Sequence, residues 1–228
     1  MSLHPLFSYR VEYIGKEAQP ILIIENYIAD PESLIDYCAR FCHFKQADAY
    51  YPGVRAPAPD AYVQVMNYYL NKIVYDTFGV DGAVIKSAQS DFSMVITPPE
   101  QLKPIQCTPH YDSLLGTELA AVHYLCNASM GGTSFYRHRA TGFEYIDKAR
   151  AATYTNVIKE QALLPDYPKQ YMNGSNDFFE QIASFSAVFN RLIIYRCTSL
   201  HSGNIASGFL FDPNPRTGRL TINTFLYN

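Results

Sequence analysis

The sequence contains no tryptophan, and only 17% of its 228 residues are charged. Lys and Arg number 18 against 21 Asp and Glu, a formal charge of −3. No basic excess therefore marks the chain for nucleic acid or for an anionic lipid surface. Its five cysteines, Cys38, Cys42, Cys107, Cys126 and Cys197, are scattered without a CxxC pair, so neither a cysteine zinc site nor a redox dithiol is signalled. Cys38 and Cys42, spaced i,i+4 beside Phe41, read as small apolar filling. Nowhere do 18 apolar residues run together, which excludes a membrane-spanning helix of ordinary length. The opening stretch, MSLHPLFSYRVEY, has no basic segment leading into an apolar one, so no secretory leader is expected. These absences predict a soluble cytoplasmic protein with reduced thiols.

What is present is a chain that is 48% hydrophobic with 19 Tyr and 14 Phe, an aromatic load that suits strands. A chain of this length buries roughly 70% of the surface its unfolded form exposes, so it needs no staples. One domain over 1–228 is expected, with N-terminal strands and buttressing helices over 1–82 and a β core over 83–228. Val11–Ile14 and Ile21–Tyr27 read as strands, the second a continuous apolar run of buried type. Asp30-Pro31-Glu32-Ser33 opens a helix that continues through Leu34, Ile35, Cys38, Phe41 and Cys42. Tyr51–Pro59 carries too many prolines for a helix or central strand and is expected as a surface loop. Folded over the mouth of a barrel, that loop would bring Arg55 to a substrate. A second helix is predicted from Asp60 to Phe78.

Beyond Gly79 the pattern changes. Ala83–Ile96, Gln106–Tyr111, Leu119–Cys126, Thr133–Arg137, Gln181–Val188, Leu192–Arg196 and Leu220–Tyr227 read as strands, with one helix near Asp147–Leu163. Many strands after two leading helices predict a mainly β fold with flanking helices, a sandwich or barrel.

The chemistry centres on Pro109-His110-Tyr111-Asp112. On a strand, residues i and i+2 share a face, so His110 and Asp112 can reach one point. A His and a carboxylate need a third ligand to hold a metal, and His201 supplies one from the small polar segment Thr198–Gly203 after the apolar strand Arg191–Tyr195. Two His and one carboxylate with open positions opposite form the facial triad of non-haem Fe(II) oxygenases, whereas a structural zinc site closes all four positions. A hydrogen-bonded His110–Asp112 pair and a turn histidine at 201 are the bland alternatives. His138 is read as a surface residue with a lesser substrate-facing alternative, and His123 as structural.

Five motifs occur in order: His110-x-Asp112; a strand ending Tyr124-Leu125-Cys126-Asn127; Gly131-Gly132-Thr133-Ser134-Phe135; an apolar strand and His201; and Arg219-Leu220-Thr221. Over about residues 85–228 this order resembles the 2-oxoglutarate/Fe(II)-dependent dioxygenases, nearest the prolyl-4-hydroxylase-like branch. The resemblance implies a double-stranded β-helix (a jelly roll, or cupin-like barrel) with Fe(II) held by His110, Asp112 and His201. It implies a basic residue for the distal carboxylate of 2-oxoglutarate. Arg219 matches that motif, with Thr221 on the same strand face and Tyr124 a hydroxyl donor to the same carboxylate. Arg219 lies further beyond His201 than the family usually allows, which leaves Arg216 as a rival. The expected partners are O2 and a small-molecule or peptide substrate, with no nucleic acid or membrane, and oligomeric state is unspecified. The carboxylate at Asp112 argues against a halogenase, since halide would need that position. A non-catalytic β-helix module that binds a partner, or a cupin-like metalloenzyme that does not use 2-oxoglutarate, are the alternatives.

Overall fold

The computed structural model describes residues 1–47, 51–80 and 87–227. It opens with a hairpin of β1 (Ser8–Ile14) and β2 (Gln19–Glu25). Ile21 to Ile24 of β2 are all fully buried because both faces are covered. Leu22 and Ile24 pack toward the helices, Ile21 and Ile23 toward the barrel interior. That is why the run is continuous rather than alternating. Helix α1 (Pro31–Phe41) starts where predicted: the Asp30 carboxylate accepts the Ser33 N–H at 3.1 Å and Pro31 takes the first turn.

The short β3 (Lys45–Gln46) and β4 (Gly53–Pro57) follow. The loop expected over Tyr51–Pro59 is therefore corrected, since β4 pairs with β3 on one side and with β5 (Ser87–Val95) on the other. Pro52, Pro57 and Pro59 fall at or beyond the ends of the strand, so Val54, Arg55 and Ala56 keep their N–H groups for the ladder. Gly53 is required by close approach, because a Cβ there would lie 1.9 Å from the Met94 carbonyl oxygen. Helix α2 (Asp60–Phe78) has the predicted bounds and ends at Gly79 in the left-handed conformation. The strand expected from Ala83 is seen from Ser87; 83–86 lie outside the described residues.

The strand expected over Gln106–Tyr111 does not form. Pro104–Cys107 is a 3-10 turn, with the Gln106 side chain accepting the Lys103 N–H at 2.9 Å, and only His110 makes a β-bridge. The remaining elements are β6 (Leu119–Tyr124), β7 (Gly132–His138), α3 (Ala151–Gln161), β8 (Phe179–Ser186), β9 (Leu192–Arg196), β10 (His201–Asn204) and β11 (Leu220–Tyr227). The segment Thr198–Gly203 is a turn only at its start, since β10 begins at His201.

The described strands form two sheets. One has eight strands in the order β1-β2-β9-β6-β11-β5-β4-β3, the other three in the order β10-β7-β8. From β6 onward the chain passes from the large sheet to the small one and back twice. Tyr124, Ile193 and Tyr195 on the large sheet meet Phe135 and Phe185 on the small one. This is a double-stranded β-helix. Helices α1 and α2 cover the outer face of the large sheet through Leu34, Ile35, Tyr62, Met66 and Leu70.

Candidate metal centre and cofactor cavity

Strand β10 places His201 at the edge of the small sheet, and its backbone exchanges two hydrogen bonds of 2.9 Å with His110. The chain then turns at Asp112, whose N–H donates to the Cys197 carbonyl at 2.8 Å. His110 and Asp112 thus converge through a bridge and a bend, not through the strand periodicity expected. The ligand atoms of His110, Asp112 and His201 all lie within 4.8 Å of one another. Asp112 Oδ1 is 3.7 Å from His110 Nε2, and Oδ2 is 3.5 Å from His201 Nε2.

The state of His201 follows from its neighbour. Its Nδ1 sits 2.9 Å from the Ser199 carbonyl, which can only accept, so Nδ1 carries a proton and Nε2 is the ring nitrogen turned toward Asp112. The ring is held by Tyr195 and Phe135, at centroid distances of 4.7 and 6.2 Å. Desolvation, then the charges of His201 and Arg55, holds His110 well below the ordinary histidine range. Burial raises the Asp112 carboxyl against the pull of His201 and Arg55. Two imidazoles and a carboxylate converging on one point are a donor set suited to a divalent cation, which would reverse the Asp112 shift.

The triad opens on a cavity of about 810 Å³. Arg219 lies on its wall, 5% exposed, with Nε donating to the Met130 carbonyl at 3.1 Å and Nη2 to the Gly132 carbonyl at 2.9 Å. These acceptors are neutral, so among the described residues the buried guanidinium has no counter-ion. The glycine pair makes this possible. Gly131 has φ +91°, and a Cβ on Gly132 would stand 2.1 Å from the Phe185 carbonyl oxygen. The rival Arg216 is elsewhere: it pairs with Asp36 of α1 at 2.5 Å on the protein surface.

Tyr124 and Thr221 are opposite one another on β6 and β11, both fully buried behind the cavity wall. The Tyr124 hydroxyl donates to Thr133 Oγ1 at 2.7 Å, and it is Thr133 that faces the cavity. Burial pushes the Tyr124 phenol up to about 12, against the Arg219 charge, so it stays a neutral donor. Thr221 Oγ1 lies 2.9 Å from Asn223 Oδ1, and Asn223 reaches the wall. His138 is buried between Thr141 and Gln161, at 2.9 and 2.8 Å, and serves the β7–α3 junction. His123 is fully buried on the helix side, stacked on Tyr62 with Tyr27 at its edge.

Sequence reasoning missed Ser199, Tyr195 and Thr133. A residue two before a candidate ligand histidine was the available signal for Ser199, since its carbonyl can reach back to Nδ1. Thr133 stood within the Gly131–Phe135 motif without a role, and nothing local marked Tyr195; both roles depend on which sheet faces which.

Comparison with curated proteins gives no match. Among solved structures, the chain is similar to the non-heme alpha ketoglutarate dependent carbocyclase SnoK from nogalamycin biosynthesis, at 14% identity and a TM-score of 0.51 over 94% of this chain and 84% of that one. A prolyl-4-hydroxylase of Pseudomonas putida has 11% identity and a TM-score of 0.44, covering 97% of this chain and 92% of that one. HygX of Streptomyces hygroscopicus, with nickel, 2-oxoglutarate and hygromycin B bound, has 10% identity and a TM-score of 0.46, covering 93% and 84%. At 14% identity the likeness to SnoK is one of fold. Sequence similarity specific enough to assign the chain comes from one family model, which matches residues 5–226: the protein belongs to DUF6445, a family of unknown function.

Proposed function

We propose that this protein is a non-haem Fe(II)- and 2-oxoglutarate-dependent oxygenase acting as a hydroxylase of a small-molecule or peptide substrate. The observation that carries the reading is the orientation in which the His201 ring is held. A carbonyl holds Nδ1, Nε2 turns toward Asp112 at 3.5 Å, and the ligand atoms of all three residues lie within 4.8 Å of one another on the cavity wall. A hydrogen-bonded pair with no metal would not need three ligand atoms converging, nor a buried guanidinium without a counter-ion on the wall of the same cavity.

His110, Asp112 and His201 would hold the metal, and Arg219 would take the distal carboxylate of 2-oxoglutarate. When bound, Fe(II) with 2-oxoglutarate and O2 supplies an oxidant able to break a C–H bond, with succinate and CO2 as co-products. The protein's own part is positional. Met130 and Gly132 carbonyls fix the Arg219 fork so that its remaining N–H groups meet a carboxylate in plane. Tyr124 orients Thr133 toward the same end. Tyr195 and Phe135 close the wall behind His201 and keep water from it.

Incubation of the purified protein with Fe(II), 2-oxoglutarate and O2 should release succinate even without substrate. His110→Ala and Asp112→Ala should each abolish that release. Succinate formed equally by both variants would sink the proposal.

A further inference from the structure

We propose that the substrate carries an anionic group, a carboxylate or a phosphate, and that Arg55 receives it. This rests on the oxygenase reading above and names the chemical class of its substrate.

Arg55 is placed by the strand β4. Val54 packs against the helix-side core, so Arg55, its neighbour in the pleat, points to the other face, onto the cavity wall. Arg55 stands opposite Ser93 of β5, Ser93 opposite Thr221 of β11, and Thr221 opposite Tyr124 of β6. Arg55 therefore belongs to the cross-strand row of Tyr124, Thr221 and Ser93, which continues beyond it to Lys45 of β3. Its guanidinium lies over the Tyr51 ring at 4.5 Å. Its Nε is buried and makes no hydrogen bond, and among the described residues no carboxylate pairs with it. A buried donor on a fixed cation without a partner costs free energy unless something completes it.

Arg55 and Arg219 reach the cavity from different strands, Arg55 from within β4 and Arg219 from the lead-in to β11. One distal carboxylate of 2-oxoglutarate can satisfy Arg219, and Arg55 is left over. The charges agree. With a divalent metal bound, that dication and the basic groups Arg55, Arg219 and Lys159 face Asp112, Glu118 and the dianion 2-oxoglutarate on the cavity wall. One positive charge remains, which a monoanionic substrate neutralises. A planar fork over an aromatic ring favours a carboxylate or phosphate over a neutral amide.

The test uses acid and amide pairs: phenylacetate against phenylacetamide, and hippurate against its amide, with benzylphosphonate as a further anion. Each is titrated into protein loaded anaerobically with Fe(II) and saturating 2-oxoglutarate, and again into metal-free protein, with binding read by calorimetry. Wild type should favour the acids by about 10-fold or more, and Arg55→Met should remove that preference. The 2-oxoglutarate midpoint of Arg55→Met, read from its Fe(II) chelate absorption, should match wild type. Equal binding of acids and amides by wild type overturns the proposal. So does a 2-oxoglutarate midpoint raised 10-fold in Arg55→Met, which would give Arg55 to the cosubstrate. A wild-type protein that forms no 2-oxoglutarate chelate contradicts the oxygenase reading instead. The acid preference of the metal-free protein then still reads Arg55 as an anion site.

Discussion

His201 donates its Nδ1 proton to the carbonyl of Ser199, two residues earlier in the chain, at 2.9 Å. The bond lies within the turn leading into β10 and needs no distant partner, so it survives substitution of the other ligands. His110→Ala or Asp112→Ala should therefore leave His201 oriented while weakening Fe(II) binding by more than about 100-fold, beyond the loss usual for outer groups that merely orient a ligand. Competition against a fluorescent chelator measures this. Affinity within a few-fold of wild type for either variant would show that the converging atoms do not bind the metal.

Arg219→Met should leave Fe(II) affinity intact and raise the 2-oxoglutarate requirement by about 10- to 100-fold, the worth of a charge-assisted pair. Arg216→Ala, which opens only an exposed pair with Asp36, should change neither. The two variants titrated side by side separate the candidates, and an effect confined to Arg216→Ala would reverse the assignment.

Gly132→Ala tests the turn that holds Arg219. The added methyl meets the Phe185 carbonyl, so either β7 and β8 part or the Met130–Gly132 segment shifts. A loss of about 1–3 kcal/mol in denaturant unfolding is expected, with a weakened 2-oxoglutarate affinity alongside. A variant as stable as wild type would mean that the close approach is relaxed in solution.

His123 sets a pH limit on the fold. It is fully buried, and desolvation lowers its pKa from 6.5 to about 4 against the raising effect of Asn190. The unfolded chain takes up a proton near pH 6.5 that the folded chain refuses until about pH 4. Stability is thus full above pH 6.5, falls as pH drops toward 4 and levels below it, a loss of about 3 kcal/mol. Urea unfolding of wild type and His123→Phe across that range checks the sign: the variant should lack this part of the slope.

Much of the architecture was legible because burial writes itself into local pattern. The β2 run is apolar throughout because helices cover one face and the barrel the other, and α2 carries its own start and its Gly79 stop. The failures were non-local. Tyr51–Pro59 looked like a loop because its prolines were counted without their positions, and they flank the strand that β5 recruits. Gln106–Tyr111 looked like a strand because aromatic and β-favouring residues are there, yet among the described residues His110 pairs only with His201, far along the chain. The His-x-Asp motif converges all the same, through that bridge and the Cys197 carbonyl. Tyr124 was picked out as a hydroxyl near the cofactor end, but where the hydroxyl points depends on Thr133 across the barrel.

The most direct measurement is anaerobic: Fe(II) and 2-oxoglutarate are added to the protein and the visible spectrum is recorded. A metal-to-ligand charge-transfer band should appear in wild type and be absent in His201→Ala. Iron bound with no such band would contradict 2-oxoglutarate as the cosubstrate and favour a cupin-like metalloenzyme, while no iron bound at all would favour a non-catalytic module.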